Sequence, residues 1–203
     1  MNELIKLFEK YKLDKLRHKY HNLYWDLLND KKEIYKNILE IGIGTIDETK
    51  PSNMFAYKNE LEQDYTFGNS LRAWRDYFTN ANIYGIDVDE NTMFEENRIK
   101  TYCSSSMDKY TMDNILSKLP QFDMVVDDGL HTMEANLETL KIVFPYLKNG
   151  GIYVIEDVNQ YGDWYIEKLL VDDRFMNTIG DCDYTVYENF NIIFTRVIVI
   201  YKK

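Results

Sequence analysis

Four short, largely apolar runs punctuate the chain at 38–43, 82–86, 122–127 and 152–155, with a more polar strand candidate at 98–103 and stretches of helical spacing between them. Such runs read as strands buried on both faces, which implies a parallel sheet covered by helices. The alternation across 38–170 therefore predicts an α/β, doubly wound architecture. Two more runs, 184–187 and 192–201, flank Glu188-Asn189-Phe190-Asn191 without a helix between them, so one of the pair runs antiparallel. The expectation is a mostly parallel, seven-stranded, Rossmann-like sheet. Ahead of it, Leu4, Leu7, Phe8, Tyr11, Leu16, Tyr20, Leu23, Tyr24, Leu27 and Leu28 recur at roughly helical spacing, which predicts one or two N-terminal helices. A chain of 203 residues without repeat or linker suits a single domain, 1–203, with a helical cap at 1–30 and the Rossmann-like core at 36–203. Ser70 is placed to cap a helix carrying Leu71, Trp74 and Phe78, and Asn149-Gly150-Gly151 to stop the helix that begins at Met133.

Two consecutive strands end in acids. FDMVVDDGLH carries Asp127, Asp128 and His131; GGIYVIEDV carries Glu156 and Asp157. In an open α/β sheet the carboxyl ends of adjacent strands border the ligand crevice. Asp128, Glu156 and Asp157 are therefore expected in one small volume. At about 4 Å and an effective dielectric near 20, each like-charge pair costs roughly 4 kcal/mol. Such a group takes up protons or shares a cation. Oxygen ligands of this kind favour Mg²⁺, Mn²⁺ or Ca²⁺ over zinc. His131 follows three residues after Asp128, and an imidazole with an unperturbed pKa of about 6.5 is suited to accept a proton near neutral pH.

The first two strands suggest an organic ligand. LEIGIG (39–44) enters a turn at Gly42 and Gly44, where backbone can approach a ligand closely, and Glu40 precedes it. The spacing falls short of the full G-x-G-x-x-G fingerprint. The second strand ends in GIDVD, which sets Asp87 where such folds hold a ribose diol. This pairing fits a dinucleotide or S-adenosyl-L-methionine equally. The segment 45–69 is long for a connection, and Met54 and Tyr65 are candidate contacts of a lid.

A formal charge of −10 opposes sequence-independent nucleic-acid binding. No stretch is apolar for long enough to span a bilayer. Cys103 and Cys182 lie far apart and read as free thiols, consistent with a reducing, cytoplasmic compartment.

Six stretches, taken in order, carry a resemblance: DKLRHKYHNLY (14–24), ILEIGIG (38–44), SLRAWRDYF (70–78), IYGIDVD (83–89), FDMVVDDGLH (122–131) and LKNGGIYVIEDV (147–158). Together they resemble the metal-dependent class I O-methyltransferases that act on sugar hydroxyls, such as the macrolide-sugar enzymes. The resemblance implies S-adenosylmethionine as cofactor and Mg²⁺ (or Mn²⁺) as metal. It implies Asp128, Glu156 and Asp157 as metal ligands and His131 as general base, acting with Asp128. It implies Asp87 on the cofactor ribose, with Glu40, Gly42, Gly44, Ser70 and Asp127 around the cofactor. Where the family has an Asp-Gln pair near the adenine, this chain has Cys103-Ser104-Ser105-Ser106, which leaves Ser105 to meet the ring. The implied acceptor is a sugar or glycan, with His18 at its pocket. Tyr20, Tyr24 and Trp25 are core residues or stacking platforms, and Tyr161 and Trp164 border the acceptor. A fused or partner glycosyltransferase and an oligomeric state are both compatible with this picture. Two other readings stay open: a methyltransferase for a catechol-like diol, and a non-catalytic cofactor-binding module attached to a glycosyltransferase.

Overall fold

The computed structural model describes residues 2–60, 65–158, 164–188 and 196–203, with the side chains of 58–60 and 164 left aside. Tyr161, the side chain of Trp164 and the 189–191 turn lie outside these described parts.

The cap is three short helices, α1 (Glu3–Lys10), α2 (Asp14–Arg17) and α3 (Tyr20–Leu28). Lys12 and Lys19 adopt positive φ, 52° and 60°, and these two left-handed residues divide the expected one or two helices into three. The chain continues through β1 (Asn37–Ile41), α4 (Phe55–Glu60), α5 (Asn69–Tyr77), β2 (Asn82–Asp87), β3 (Glu95–Glu96), β4 (Ile99–Cys103), α6 (Lys109–Leu116), β5 (Phe122–Asp127), α7 (Met133–Val143), β6 (Leu147–Val158), α8 (Trp164–Val171), α9 (Asp173–Ile179), β7 (Asp183–Glu188) and β8 (Arg196–Tyr201).

These strands form one sheet in the order β3-β4-β2-β1-β5-β6-β8-β7. Strands β4, β2, β1, β5 and β6 are parallel, and β8 is antiparallel to both β6 and β7. The architecture is the doubly wound one expected, but with eight strands rather than seven. The eighth, β3, is a two-residue edge strand paired antiparallel to β4 and made of two glutamates, so no apolar run betrays it. Ser70 does not cap its helix. The cap position is Gly68, at φ 70°, and Ser70 lies within α5. The Gly150-Gly151 pair does not stop α7 either. That helix ends at Val143, a turn containing Pro145 follows, and the glycines lie inside β6.

Side chains alternate across a strand with period two. Ile38, Met124, Ile152 and Val154 face a core built with Leu4, Phe8, Tyr24, Trp74 and Phe78 of the cap and α5. Leu39, Ile41, Val125, Tyr153 and Ile155 face a second core under α6 to α9. This parity decides where the acidic residues go. Glu40 and Glu156 share the cap's side, and Asp127 falls on the other.

Candidate active site

β1 is flanked by β2 on one side and β5 on the other, so the strand order reverses direction beside it. A ligand crevice belongs at the carboxyl ends around such a point. A cavity of about 360 Å³ opens there, and its lining includes Gly42, Gly44, Asp87, Ser105, Asp128, His131 and Asp157. His18, from the cap, and Met54, from the long connection, also line it.

The glycine turn is held from both sides. The Gly42 amide donates to the Ile86 carbonyl at 2.8 Å, and the Asp128 amide to the Ile41 carbonyl at 2.9 Å. Gly42 has φ 82°, and a Cβ there would lie 2.1 Å from the Asp128 carbonyl oxygen, so only glycine fits. Asp87 accepts the Ile43 amide at 2.8 Å and the Asp89 amide at 2.9 Å, which ties the end of β2 to the glycine turn. Burial raises its carboxyl above the ordinary range, opposed by those amides. Ser105 lines the same cavity. The Tyr65 hydroxyl donates to the Gly44 carbonyl at 3.2 Å and the Met54 amide to the Thr45 carbonyl at 2.7 Å, so both candidate lid residues rest on the glycine turn.

Beyond the turn the acids divide. Ligand atoms of Asp128, His131 and Asp157 all lie within 4.8 Å of one another. His131 Nε2 is 3.6 Å from Asp128 Oδ1. His131 itself is 6% exposed and has φ 56°, a left-handed backbone that a non-glycine residue adopts only under local constraint. Asp157 also has positive φ, 52°, and sits where the pairing of β6 with β8 shifts register between Ile155 and Val158. The bulge re-aims its side chain. Asp157 accepts a hydrogen bond from the Tyr20 hydroxyl at 2.5 Å, and His18 Nδ1 stands 3.7 Å away.

Glu156 does not join this group. It lies on the cap side, 1% exposed, where its carboxylate accepts from Lys15 Nζ at 2.6 Å and from the Tyr24 hydroxyl. Of the expected trio, Asp128 and Asp157 meet with His131, while Glu156, following the strand's alternation, stands behind Asp128 with Lys15 Nζ between them, 2.6 Å from Glu156 Oε2 and 2.7 Å from Asp128 Oδ2. Glu40 does not line the cavity. It is fully buried, accepts from the Trp74 indole at 3.0 Å, and its carboxyl is pushed up to about 7 by burial. Ser70 bonds Glu40 and lines a small recess of about 40 Å³ next to the main cavity. Tyr20 and Tyr24 are core residues whose hydroxyls brace Asp157 and Glu156.

Asp127 points to the opposite core, where it accepts from the Asn136 amide at 3.0 Å, and it does not line the cavity. Burial raises its carboxyl from 3.8 to about 6. The folded protein therefore holds this proton to higher pH than the unfolded chain. Stability tied to it is full below pH about 4 and falls as pH rises through about 6, by roughly 3 kcal/mol in all. Asp127→Asn should remove that component. In thermal melts from pH 4 to 7, the wild type should lose ground relative to the variant as pH rises; parallel curves would show that Asp127 does not carry it.

Two site residues were not singled out in the sequence. Lys15 and Asp14 both come from α2. Lys15 Nζ contacts Asp128 Oδ2 at 2.7 Å, and Asp14 lines the cavity with its carboxyl raised by burial.

No family model matches the chain. Curated relatives are of one kind. A demethylmacrocin O-methyltransferase of Streptomyces fradiae is 36% identical over 91 residues, 45% of this chain and 23% of that protein. An 8-demethyl-8-alpha-L-rhamnosyl tetracenomycin-C 2'-O-methyltransferase of Streptomyces olivaceus is 27% identical over 143 residues, 70% of this chain and 34% of that protein. The chain is similar in sequence to macrolide- and tetracenomycin-sugar O-methyltransferases. The resemblance carried by its six motifs is borne out. The chain spans between about a quarter and a third of the length of these curated relatives. Among solved structures, a mycinamycin-pathway methyltransferase in complex with Mg, SAH and mycinamycin VI superposes with a TM-score of 0.74. That match is 23% identical and covers 98% of this chain and 54% of that one. A putative caffeoyl-CoA O-methyltransferase from Staphylococcus aureus gives 0.58, at 16% identity, over 97% of this chain and 91% of that one. The fold is that of the class I methyltransferases. Among the described residues no helix is long and apolar enough to cross a membrane.

Proposed function

We propose that the chain is an S-adenosylmethionine- and Mg²⁺-dependent O-methyltransferase whose acceptor is a sugar hydroxyl. The carrying observation is the convergence of Asp128, His131 and Asp157 on the wall of a cavity that also contains the glycine turn and Asp87. The residues fit both groups. A cavity of about 360 Å³ suits a small-molecule site, and the pocket range begins near 300 Å³. Asp128 and Asp157 offer hard oxygen donors suited to Mg²⁺ or Mn²⁺. The turn at Gly42 and Gly44, with Asp87 and Ser105, would hold the nucleoside. Asp128 and Asp157 would hold the ion. When bound, the sulfonium supplies an activated methyl group and the ion an electrophilic grip on the acceptor oxygen.

The chain's own residues do the rest. His131 Nε2 accepts the hydroxyl proton beside Asp128 Oδ1. Tyr20 fixes Asp157, and Lys15 fixes Asp128. Holding the acceptor oxygen in line with the donor methyl can supply about 7–11 kcal/mol of a barrier. His18, on the cap's side of the cavity, borders the acceptor. A sugar acceptor is favoured because the Streptomyces olivaceus relative is named as a 2'-O-methyltransferase of a rhamnosyl tetracenomycin. A glycosyltransferase, fused or separate, would supply it. The free Cys103 and Cys182 support a cytoplasmic setting.

The test is donor turnover against deoxysugars, glycosides and glycan fragments, with Mg²⁺ and with EDTA. EDTA should suppress transfer at least about a hundredfold, and Mg²⁺ should restore it. Methylation of planar aromatic diols alone would replace the sugar reading by the catechol one. Donor binding without any turnover would favour the non-catalytic module.

A further inference from the structure

Lys15 is a lysine where lysines are seldom found. It is 2% exposed, and its Nζ lies 2.7 Å from Asp128 Oδ2, 2.6 Å from Glu156 Oε2 and 3.4 Å from Glu40 Oε1. Its three ammonium hydrogens face three carboxylates. Two of these have their other oxygen occupied, Glu156 by the Tyr24 hydroxyl and Glu40 by the Trp74 indole. Among the described residues Glu40 Oε1 has no hydrogen-bond partner, and Lys15 Nζ at 3.4 Å offsets its burial. Asp128 faces both ways. Oδ2 meets Lys15, while Oδ1 faces His131 and the proposed ion site. The cap helix α2 thus inserts one positive charge behind the carboxylates that would hold an ion.

We propose that Lys15 is a built-in counter-cation, interchangeable with the divalent ion: it holds Asp128, Glu156 and Glu40 together when no ion is bound and limits how tightly the ion binds. This inference rests on the ion-dependent reading above. Two cations sharing Asp128 repel one another, and the repulsion is strong at this burial. Lys15 also keeps Glu156 engaged, so an ion meets two carboxylates rather than three. Coupling of this kind is reciprocal: whatever Lys15 takes from ion affinity, the ion takes from the cap's hold on the sheet.

The experiment is Mn²⁺ titration of the full chain, followed by electron paramagnetic resonance of the free ion, alongside thermal melts with and without Mn²⁺. Lys15→Met keeps an unbranched side chain and removes the charge. It should bind Mn²⁺ at least about tenfold more tightly than wild type, and Mn²⁺ should raise its melting temperature by more. Lys15→Arg keeps the charge and should bind within about threefold of wild type. Equal or weaker binding by Lys15→Met would overturn the proposal, as would tightening by Lys15→Arg to the same degree. If Lys15→Met fails to fold alone, folding on addition of Mn²⁺ supports the exchange, and failure to fold at saturating Mn²⁺ overturns it. A wild-type chain that binds no Mn²⁺ overturns the ion reading itself. Wild-type binding with no gain in Lys15→Met overturns only the role of Lys15.

Discussion

Replacing His131 with alanine should lower methyl transfer by about a hundred- to ten-thousand-fold, the usual contribution of a positioned proton acceptor. Binding of S-adenosylhomocysteine and Mn²⁺ should change little. The expectation comes from how the ring is held. A left-handed backbone at 131 turns it over Asp128, 3.6 Å from Oδ1, in a setting that leaves the residue 6% exposed. Its Nδ1 is buried and has no hydrogen-bond partner among the described residues, so no protein contact on that nitrogen accounts for the geometry. A histidine present only for packing would not need Nε2 on a carboxylate. Single-turnover rates with isothermal titration of the product nucleoside separate the two roles. Transfer at the wild-type rate in His131→Ala would move the base elsewhere, and His18 would be the next residue to vary. Loss of product-nucleoside binding in step with the rate would make His131 a structural element of the cavity.

Most of the sheet could be read from the sequence because β1, β2, β5 and β6 each contain an apolar run, whereas β4, with Lys100 and Thr101 in it, was read from its place between helical stretches. Asp128 and His131 could be read because they are three residues apart in one turn, so local geometry brings them together. What could not be read was parity. IEDV does not show where the strand ends, and β6 continues through Val158 with a bulge at Asp157. Placing the strand end before Glu156 sends both acids into the crevice; extending it sends Glu156 beneath the cap. The same alternation sends Glu40 and Asp127 to opposite faces. Lys15 was hidden for a different reason. Its partners lie 113 and 141 residues away, so no local pattern joins them. A faint signal existed: Lys15 falls in phase with Leu4, Phe8 and Tyr11, where a core residue is due. A charged residue in a core phase implies a buried counter-charge. The glutamate pair of β3 carried no such sign, since its pairing with β4 is fixed by backbone bonds and by Thr101, whose hydroxyl bonds the Phe94 backbone, and Glu96 is held by Arg72 and Arg75, more than twenty residues away in sequence.

Asp128→Asn and Asp157→Asn should both suppress transfer by about a thousandfold, since each removes a charged oxygen from the proposed ion site, a loss on the order of 4 kcal/mol. Their effects on stability should differ. Asp157 is braced by the neutral Tyr20 hydroxyl, a bond that an asparagine carbonyl can still accept. Asp128 is bound by the Lys15 ammonium, which is itself almost fully buried. Neutralising Asp128 leaves that ammonium with Glu156 and Glu40 only. Breaking one side of a buried ion pair costs roughly 3–5 kcal/mol, and the 22% exposure of the Asp128 side chain places this case at the lower end. For a domain of this size about 3 kcal/mol corresponds to a fall of roughly 6–12 °C in melting temperature. Asp157→Asn should shift it by no more than about a third as much. Melts without added metal make the comparison, because the difference then reports only the contact with Lys15. Equal shifts in the two variants would mean that the ammonium does not depend on Asp128, and the carboxylates on the cap's side of the sheet would have to hold it unaided.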